Sequence, residues 1–150
     1  LVIAPYGVLQ SLVREADLTA TLLSVARVTR PGSLVGIDLV PDVPRWSEYR
    51  RRVSLKGRWG RSGKRLTLIE SVRQDRRRKL TIFDQEYIEV TSKTSKKTHR
   101  FSLAFRTLSI PQMVRRVERV GFKIEGVLGD YQGRPWDTRS DVWVIIVSRK

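Results

Sequence analysis

The chain has 150 residues and 40% hydrophobic content, which suits one domain with a buried core and argues against disorder. It has no cysteine and one histidine, His99, which excludes disulfides, a cysteine nucleophile and a zinc site. The apolar runs are far shorter than the roughly 20 residues that cross a bilayer, so we expect no membrane segment and a cytoplasmic location. The net charge of +15 indicates either a surface attracted to phosphate groups or a solvated basic face.

The first 40 residues predict a βαβ unit. Apolar runs at 1–4 and 34–40, the second broken by Asp38 near its end, are typical of buried parallel strands. Between them, 8–28 carries apolar residues at helical spacing, and the Arg-Pro-Gly-Ser sequence at 30–33 predicts a type II turn. The crossover should place the helix on one face of a parallel sheet.

The middle of the chain has a different pattern, which predicts an insertion. Strand-like runs separated by cationic turns occur three times, at 66–74, 80–91 and 98–107. They predict an antiparallel β meander with one covered and one solvated face. The preceding segment, 41–63, is rich in Pro, Trp, Tyr and Arg and predicts a short helix near 47–53 before a flexible connection.

Helical signals return near the end of the chain. Ser109 and Gln112 have the spacing of a capping box, and Gly121 lies where a helix would end. The last two strands are predicted at 122–128 and 142–148. Because only a short loop joins them, they must be antiparallel.

This order of elements resembles the second half of the class I, Rossmann-like S-adenosylmethionine (SAM)-dependent methyltransferases, whose last strand is inserted antiparallel into the sheet. The sequence Leu-Val-Ile-Ala-Pro-Tyr at 1–6 resembles the strand and loop that border the cofactor. Residues 25–34 resemble the family's helix end and the Pro-Gly turn that follows it. The Gly-Phe pair in 120–124 resembles the point where the family's chain enters its penultimate strand.

The resemblance implies a single, partial methyltransferase domain of the α/β class. Segments 1–40 and 108–150 would form the Rossmann-like sheet and its helices, and 41–107 would be the inserted loop and antiparallel β meander. An inserted meander commonly serves in this family as a lid or an oligomer contact. A homodimer through the meander is therefore an expectation.

One departure from the family pattern limits what the chain can do. The family binds SAM through a glycine-rich strand-to-helix turn and an acidic residue on the next strand for the ribose. The ten glycines of this chain never form Gly-x-Gly-x-Gly, and Asp38 lies on the wrong strand for the ribose. We therefore expect most of the adenosine site to be missing, upstream sequence to supply it, and this chain to be inactive alone.

Ligands of doubly wound sheets lie beyond the carboxyl ends of the strands, and this selects the candidate site residues. By the resemblance, Ala4, Pro5 and Tyr6 would border the methionine end of SAM. Asp38 is the catalytic candidate, because a carboxylate there can orient or deprotonate an acceptor nitrogen or hydroxyl. The alternative for Asp38 is a strand-end carboxylate satisfied by backbone N–H groups.

Five further residues are candidates for binding the methyl acceptor: Gln10, Trp46, Tyr49, Arg106 and Tyr131. Each has a structural alternative. Gln10 can be an ordinary exposed side chain, and Trp46 and Tyr49 can simply anchor their segment. Arg106 can pair with Asp38 or with an acidic substrate, and its structural alternative is a solvated side chain. Tyr131 belongs to a loop that is either a substrate rim or a structural clasp.

The implied function is SAM-dependent methyl transfer to a small-molecule nitrogen or oxygen acceptor, with no metal and no membrane partner. The alternatives are a basic nucleic-acid-binding module and an RNA methyltransferase. The sequence does not favour nucleic acid as the partner, because basic patterning alone is unspecific.

Overall fold

The computed structural model describes residues 1–40, 47–59, 64–92, 95–140 and 142–150. The chain divides into two units, Leu1–Pro44 with Phe105–Lys150, and Arg45–Ala104. In chain order the elements are β1 (Val2–Ala4), a 3₁₀ turn (Val8–Ser11), α1 (Glu15–Val28), β2 (Leu34–Leu39), β3 (Tyr49–Trp59), β4 (Lys64–Asp75), β5 (Leu80–Val90), β6 (Lys96–Arg106), α2 (Ile110–Arg119), β7 (Phe122–Leu128) and β8 (Trp143–Arg149).

The first unit is built on a four-stranded sheet with the order β1-β2-β8-β7. β1 pairs with β2 in parallel, and β8 runs antiparallel between β2 and β7. The predicted βαβ unit and terminal antiparallel pair are therefore confirmed, although regular helix begins only at Glu15 after a 3₁₀ turn. The predicted turn at 30–33 is also present, closed by a bond from Ser33 N–H to the Arg30 carbonyl, with Gly32 at φ +78°.

The core of this unit lies on one face of the sheet. Both helices contribute buried side chains to it, among them Leu18 and Leu22 of α1 and Met113 of α2. They pack against alternate strand positions such as Ile37 and Ile145, and full burial of such a side chain stabilises the fold by about 1.5–3 kcal/mol. The helices of the described residues thus cover a single face.

The opposite face of the same sheet carries apolar side chains that stay exposed. Leu1, Ile3 and Leu34 are 84%, 64% and 45% exposed, and each alternates with a neighbour that packs into the core. We call this the open face. Parallel sheets are normally covered on both faces, so an open apolar face is an unusual feature.

Helix α2 begins as its sequence predicts. Ser109 Oγ accepts a hydrogen bond from the Gln112 N–H at 3.4 Å, and Gln112 Oε1 accepts one from the Ser109 N–H at 3.0 Å. This reciprocal pair is the predicted capping box. Gly121, at φ +89°, follows the helix in the conformation that glycine tolerates best.

The second unit is an antiparallel sheet with the sequential order β3-β4-β5-β6, and the predicted meander is confirmed. The short helix predicted near 47–53 is wrong, because β3 pairs with β4 from Tyr49 opposite Val72 to Trp59 opposite Lys64. Three adjacent arginines offer no apolar stripe to a helix, whereas Tyr49, Arg52 and Val53 pair with β4 across an irregular register.

Neither helix in the described ranges has the length and apolar character needed to cross a membrane.

Candidate functional site

The ends of β1 and β2 lie side by side because the strands are parallel neighbours, with Ala4 opposite Ile37. Directly after β1 the backbone takes two left-handed conformations, at Tyr6 (φ 54°) and Gly7 (φ 62°). For Tyr6 this costs roughly 1–2 kcal/mol. The Tyr6 N–H donates a hydrogen bond to Asp38 Oδ2 at 3.2 Å, so a carboxylate from β2 supports the strained turn after β1.

A second donor reaches the same carboxylate oxygen. The hydroxyl of Tyr131 donates to Asp38 Oδ2, and this bond raises the pKa of Tyr131 to about 12, because the neighbouring negative charge disfavours a phenolate. Asp38 is only 8% exposed. Its other oxygen, Oδ1, receives no hydrogen bond from the part of the chain that the structure describes. One acceptor oxygen of a nearly buried carboxylate is therefore uncommitted.

Tyr131 arrives from the loop between β7 and β8. Since β7 and β2 both run antiparallel to β8, this loop leaves the sheet at the same edge as the ends of β1 and β2. Asp130 Oδ1 shapes the loop by accepting from the N–H groups of Gln132 and Arg134 at 2.8 and 3.0 Å. The loop thus lies at the candidate site, where Tyr131 contacts Asp38.

A hollow of about 480 Å³ lies beside this cluster on the open face. Its polar edge is formed by Tyr6, Asp38 and Tyr131, and much of the remaining lining is aliphatic: Leu1, Ile3, Leu34, Val144 and Ile146. An apolar hollow with a few convergent polar groups is the usual form of a small-molecule site. The described residues include no group of three or more metal-ligating side chains.

The surroundings of Gln10 favour a structural role instead of the predicted acceptor contact. Its side chain is fully buried, and its Nε2 donates to the carbonyls of Val40 and Arg106 at 3.2 and 3.4 Å. Its Oε1 accepts from the Val40 N–H at 2.8 Å. All of its polar atoms bind backbone, so none is left for a ligand.

Arg106 pairs with Glu15 rather than with Asp38. Its Nη2 lies 2.8 Å from Glu15 Oε2, and the Arg116 guanidinium binds the same carboxylate. The hydrogen bond from Arg116, with a smaller one from Arg106, lowers the pKa of Glu15 to about 2. This arginine therefore joins the end of β6 to α1 and, through Glu15, to α2.

The remaining predicted site residues lie in different parts of the chain, and only one of those that the structure describes lines the hollow. Pro5 lines the hollow, and Ala4 packs against the core at the end of β1. Tyr49 begins β3 in the second unit, where the Arg52 guanidinium lies 5.7 Å from its ring centre. Trp46 lies outside the described residues.

The structure thus brings together Pro5, Tyr6, Asp38 and Tyr131. Sequence reasoning missed the bond between Tyr131 and Asp38, which are 93 residues apart. It also missed the left-handed turn at Tyr6, for which the following Gly7 is the one sequence signal.

No protein-family model matches the chain, and no curated protein sequence matches it. Solved structures do. The CcbJ methyltransferase from Streptomyces caelestis matches with a TM-score of 0.66 at 11% identity, over 99% of this chain and 59% of that one. A SAM-dependent methyltransferase from Clostridium acetobutylicum matches with a TM-score of 0.69 at 8% identity, over 94% and 54%.

The sugar N-methyltransferase KedS8 from Streptoalloteichus has a TM-score of 0.68 at 14% identity, over 99% of this chain and 55% of that one. The chain therefore spans between 54% and 59% of the length of these three structures. At such identities a likeness shows the fold alone, and the fold of this chain is a class I methyltransferase-like fold.

Proposed function

We propose that this chain is part of a SAM-dependent methyltransferase that acts on a nitrogen or oxygen atom of a small molecule. The observation that carries the proposal is the cluster of Tyr6, Asp38 and Tyr131 at the carboxyl edge of a methyltransferase-like sheet. One structural neighbour is described as a sugar N-methyltransferase, which supports a small acceptor with a polar, ionisable group.

The residues present fit only one end of SAM. Its sulfonium is a cation, for which the Asp38 carboxylate and the exposed Tyr6 ring are suitable neighbours. The adenosine end finds no counterpart, because the ten glycines form no Gly-x-Gly-x-Gly turn. We infer that a glycine-rich segment outside these 150 residues holds the adenosine end, and that the chain is inactive by itself.

The chemistry that SAM supplies when bound is an electrophilic methyl group, which needs a well-oriented nucleophile more than a covalent catalyst. The aliphatic lining of the hollow would hold the acceptor's apolar body and exclude water. Asp38 Oδ1 would accept the acceptor's N–H or O–H proton and so fix the position of the lone pair. Tyr131 keeps its own proton up to about pH 12 and holds the carboxylate through Oδ2.

The test is methyl transfer from labelled SAM to a panel of amino and hydroxy sugars by the natural polypeptide that contains this chain. Asp38→Asn should lower kcat by roughly 10²–10⁴-fold, since it removes a proton acceptor but preserves shape. Tyr131→Phe should lower kcat by about tenfold, through loss of one hydrogen bond to a charged group.

Asp17→Asn is the matched control. Asp17 lies on α1, where its carboxylate pairs with Arg14 on the protein surface, and this variant should retain the wild-type kcat. A wild-type kcat for Asp38→Asn would remove the carboxylate from the mechanism. Turnover by the 150-residue chain alone would show that the proposed division of the SAM site is wrong.

A further inference from the structure

The positive charge of this protein is concentrated in its second unit. Residues 45–104 contain 18 of the 30 lysines and arginines but only 6 of the 15 acidic residues, which gives them a net charge of +12. The rest of the chain carries only +3. The excess therefore belongs to the residues of the antiparallel sheet and its turns.

One end of this sheet gathers cations from two neighbouring parts of the chain. Tyr49, at the start of β3, lies opposite Val72 near the end of β4, and Glu48 Oε1 accepts from the Gln74 N–H at 2.6 Å. The start of β3 is thus held beside the β4–β5 turn. We call the exposed cations found there the cationic end: Arg50, Arg52, Arg76, Arg77, Arg78 and Lys79.

The carboxylates of the described residues leave these six cations without an ion pair. Glu86 binds Arg51 and Arg100, while Asp84 binds Arg73. Asp75, the acid next to the turn, uses its Oδ1 to accept the Arg78 N–H at 2.9 Å. The six cations of the cationic end are therefore not held in ion pairs within the described part of the unit.

The backbone at this end adopts conformations that glycine or asparagine would adopt more easily. Arg51 has φ 49° and Lys79 has φ 55°. A left-handed conformation costs roughly 1–2 kcal/mol for such residues, and four adjacent cations in one turn repel each other. The mutual repulsion of these cations would be offset if they bound an external anion.

The composition of the turn indicates which anion. Residues 75–79 include no apolar side chain to enter a bilayer. Five of the six cations at this end are arginines, whose planar guanidinium groups bind phosphate oxygens in pairs. About six strand residues separate Arg50 from the tip of the turn, roughly 20 Å, which matches about six phosphates of one nucleic acid strand.

We propose that the cationic end binds the phosphate backbone of a nucleic acid, without reading its base sequence. This inference is independent of the proposed methyl transfer, since it uses residues of the second unit alone. Contacts to about six phosphates would make the logarithm of the binding constant fall with the logarithm of salt concentration with a slope of about −4 for a single strand.

The test is fluorescence anisotropy with a short, labelled, single-stranded RNA, titrated with salt. The variant Arg76→Ala/Arg77→Ala/Arg78→Ala should bind roughly 100-fold more weakly at about 0.1 M salt, with a slope about two units shallower. Arg50→Ala/Arg52→Ala changes a different strand of the same end and should bind roughly 25-fold more weakly. Far-UV circular dichroism verifies that each variant is folded.

The matched control is Arg27→Ala/Arg115→Ala/Arg119→Ala, which removes the same charge from exposed arginines of α1 and α2. It should weaken RNA binding by less than about threefold if binding is local. Equal losses in the control and the turn variant would mean a diffuse effect of net charge and would overturn the proposal. So would absence of RNA binding at low salt, or tighter binding to vesicles rich in phosphatidylserine than to RNA.

Discussion

Replacing Gln10 by methionine should destabilise the protein, because this side chain joins three parts of the first unit. Its amide binds both backbone polar groups of Val40, just after β2, and the carbonyl of Arg106 at the end of β6. Methionine has nearly the same length and volume but no comparable donor or acceptor. The substitution therefore removes the hydrogen bonds and changes little else.

The magnitude follows from the groups that would be left without a partner. An unsatisfied buried donor or acceptor costs about 1–3 kcal/mol, and the Val40 N–H and carbonyl would both lose their bonds. The 3.4 Å contact to Arg106 is too long to add much. Since Val40 is only partly buried and methionine gains some apolar burial, we expect a net loss of about 2 kcal/mol.

Equilibrium urea unfolding followed by far-UV circular dichroism measures this loss as a lower midpoint with an unchanged slope. The control is Gln132→Met, an exposed glutamine of the β7–β8 loop, which should change stability by no more than about 0.5 kcal/mol. Equal, small effects of the two substitutions would refute the argument that the buried amide holds the fold together.

Two more predictions concern acid stability and self-association. Because the pKa of Glu15 is lowered from 4.5 to about 2, its contribution is present above pH 4.5 and is lost as the pH falls toward 2. Glu15 is 52% exposed, so Glu15→Gln should lower the free energy of unfolding by only about 1 kcal/mol at neutral pH, as measured by urea titration. The same loss at pH 2 would contradict its origin in the ion pair. Ile3→Lys on the open face should reduce self-association in sedimentation velocity, whereas Leu23→Lys on exposed α1 should not. A wild-type chain that sediments as a monomer would argue against an associating open face.

The fold could be predicted where local sequence patterns and tertiary contacts agree. Ser109 and Gln112 specify a helix start by themselves, and Gly32 favours the turn that precedes β2. The helix predicted near 47–53 failed because pairing with β4 decides the conformation of this segment, and the paired residues lie 16 to 23 positions away. Short-range propensity contains no information on such a partner.

The candidate site was predictable only at the strand ends. Tyr6 and Asp38 follow from the rule that ligands lie beyond the carboxyl ends of parallel strands. The contact of Tyr131 with Asp38 depends on how a long loop folds back, and the partner of Arg106 is 91 residues away. Gln10 illustrates the same limit, since nothing in its sequence neighbourhood distinguishes a buried amide from an exposed one.

The open face and the candidate site are one region of the molecule, so covering the face would also change the surroundings of the site. Asp38 lies at the rim of a hollow whose lining includes Leu1 and Ile3, both exposed. A hydrogen bond between Asp38 and an acceptor is weak in water and strengthens when the local dielectric falls. A group that covered the apolar face would therefore also exclude water from the site, and under the proposed function this would strengthen the hydrogen bond between Asp38 and the methyl acceptor.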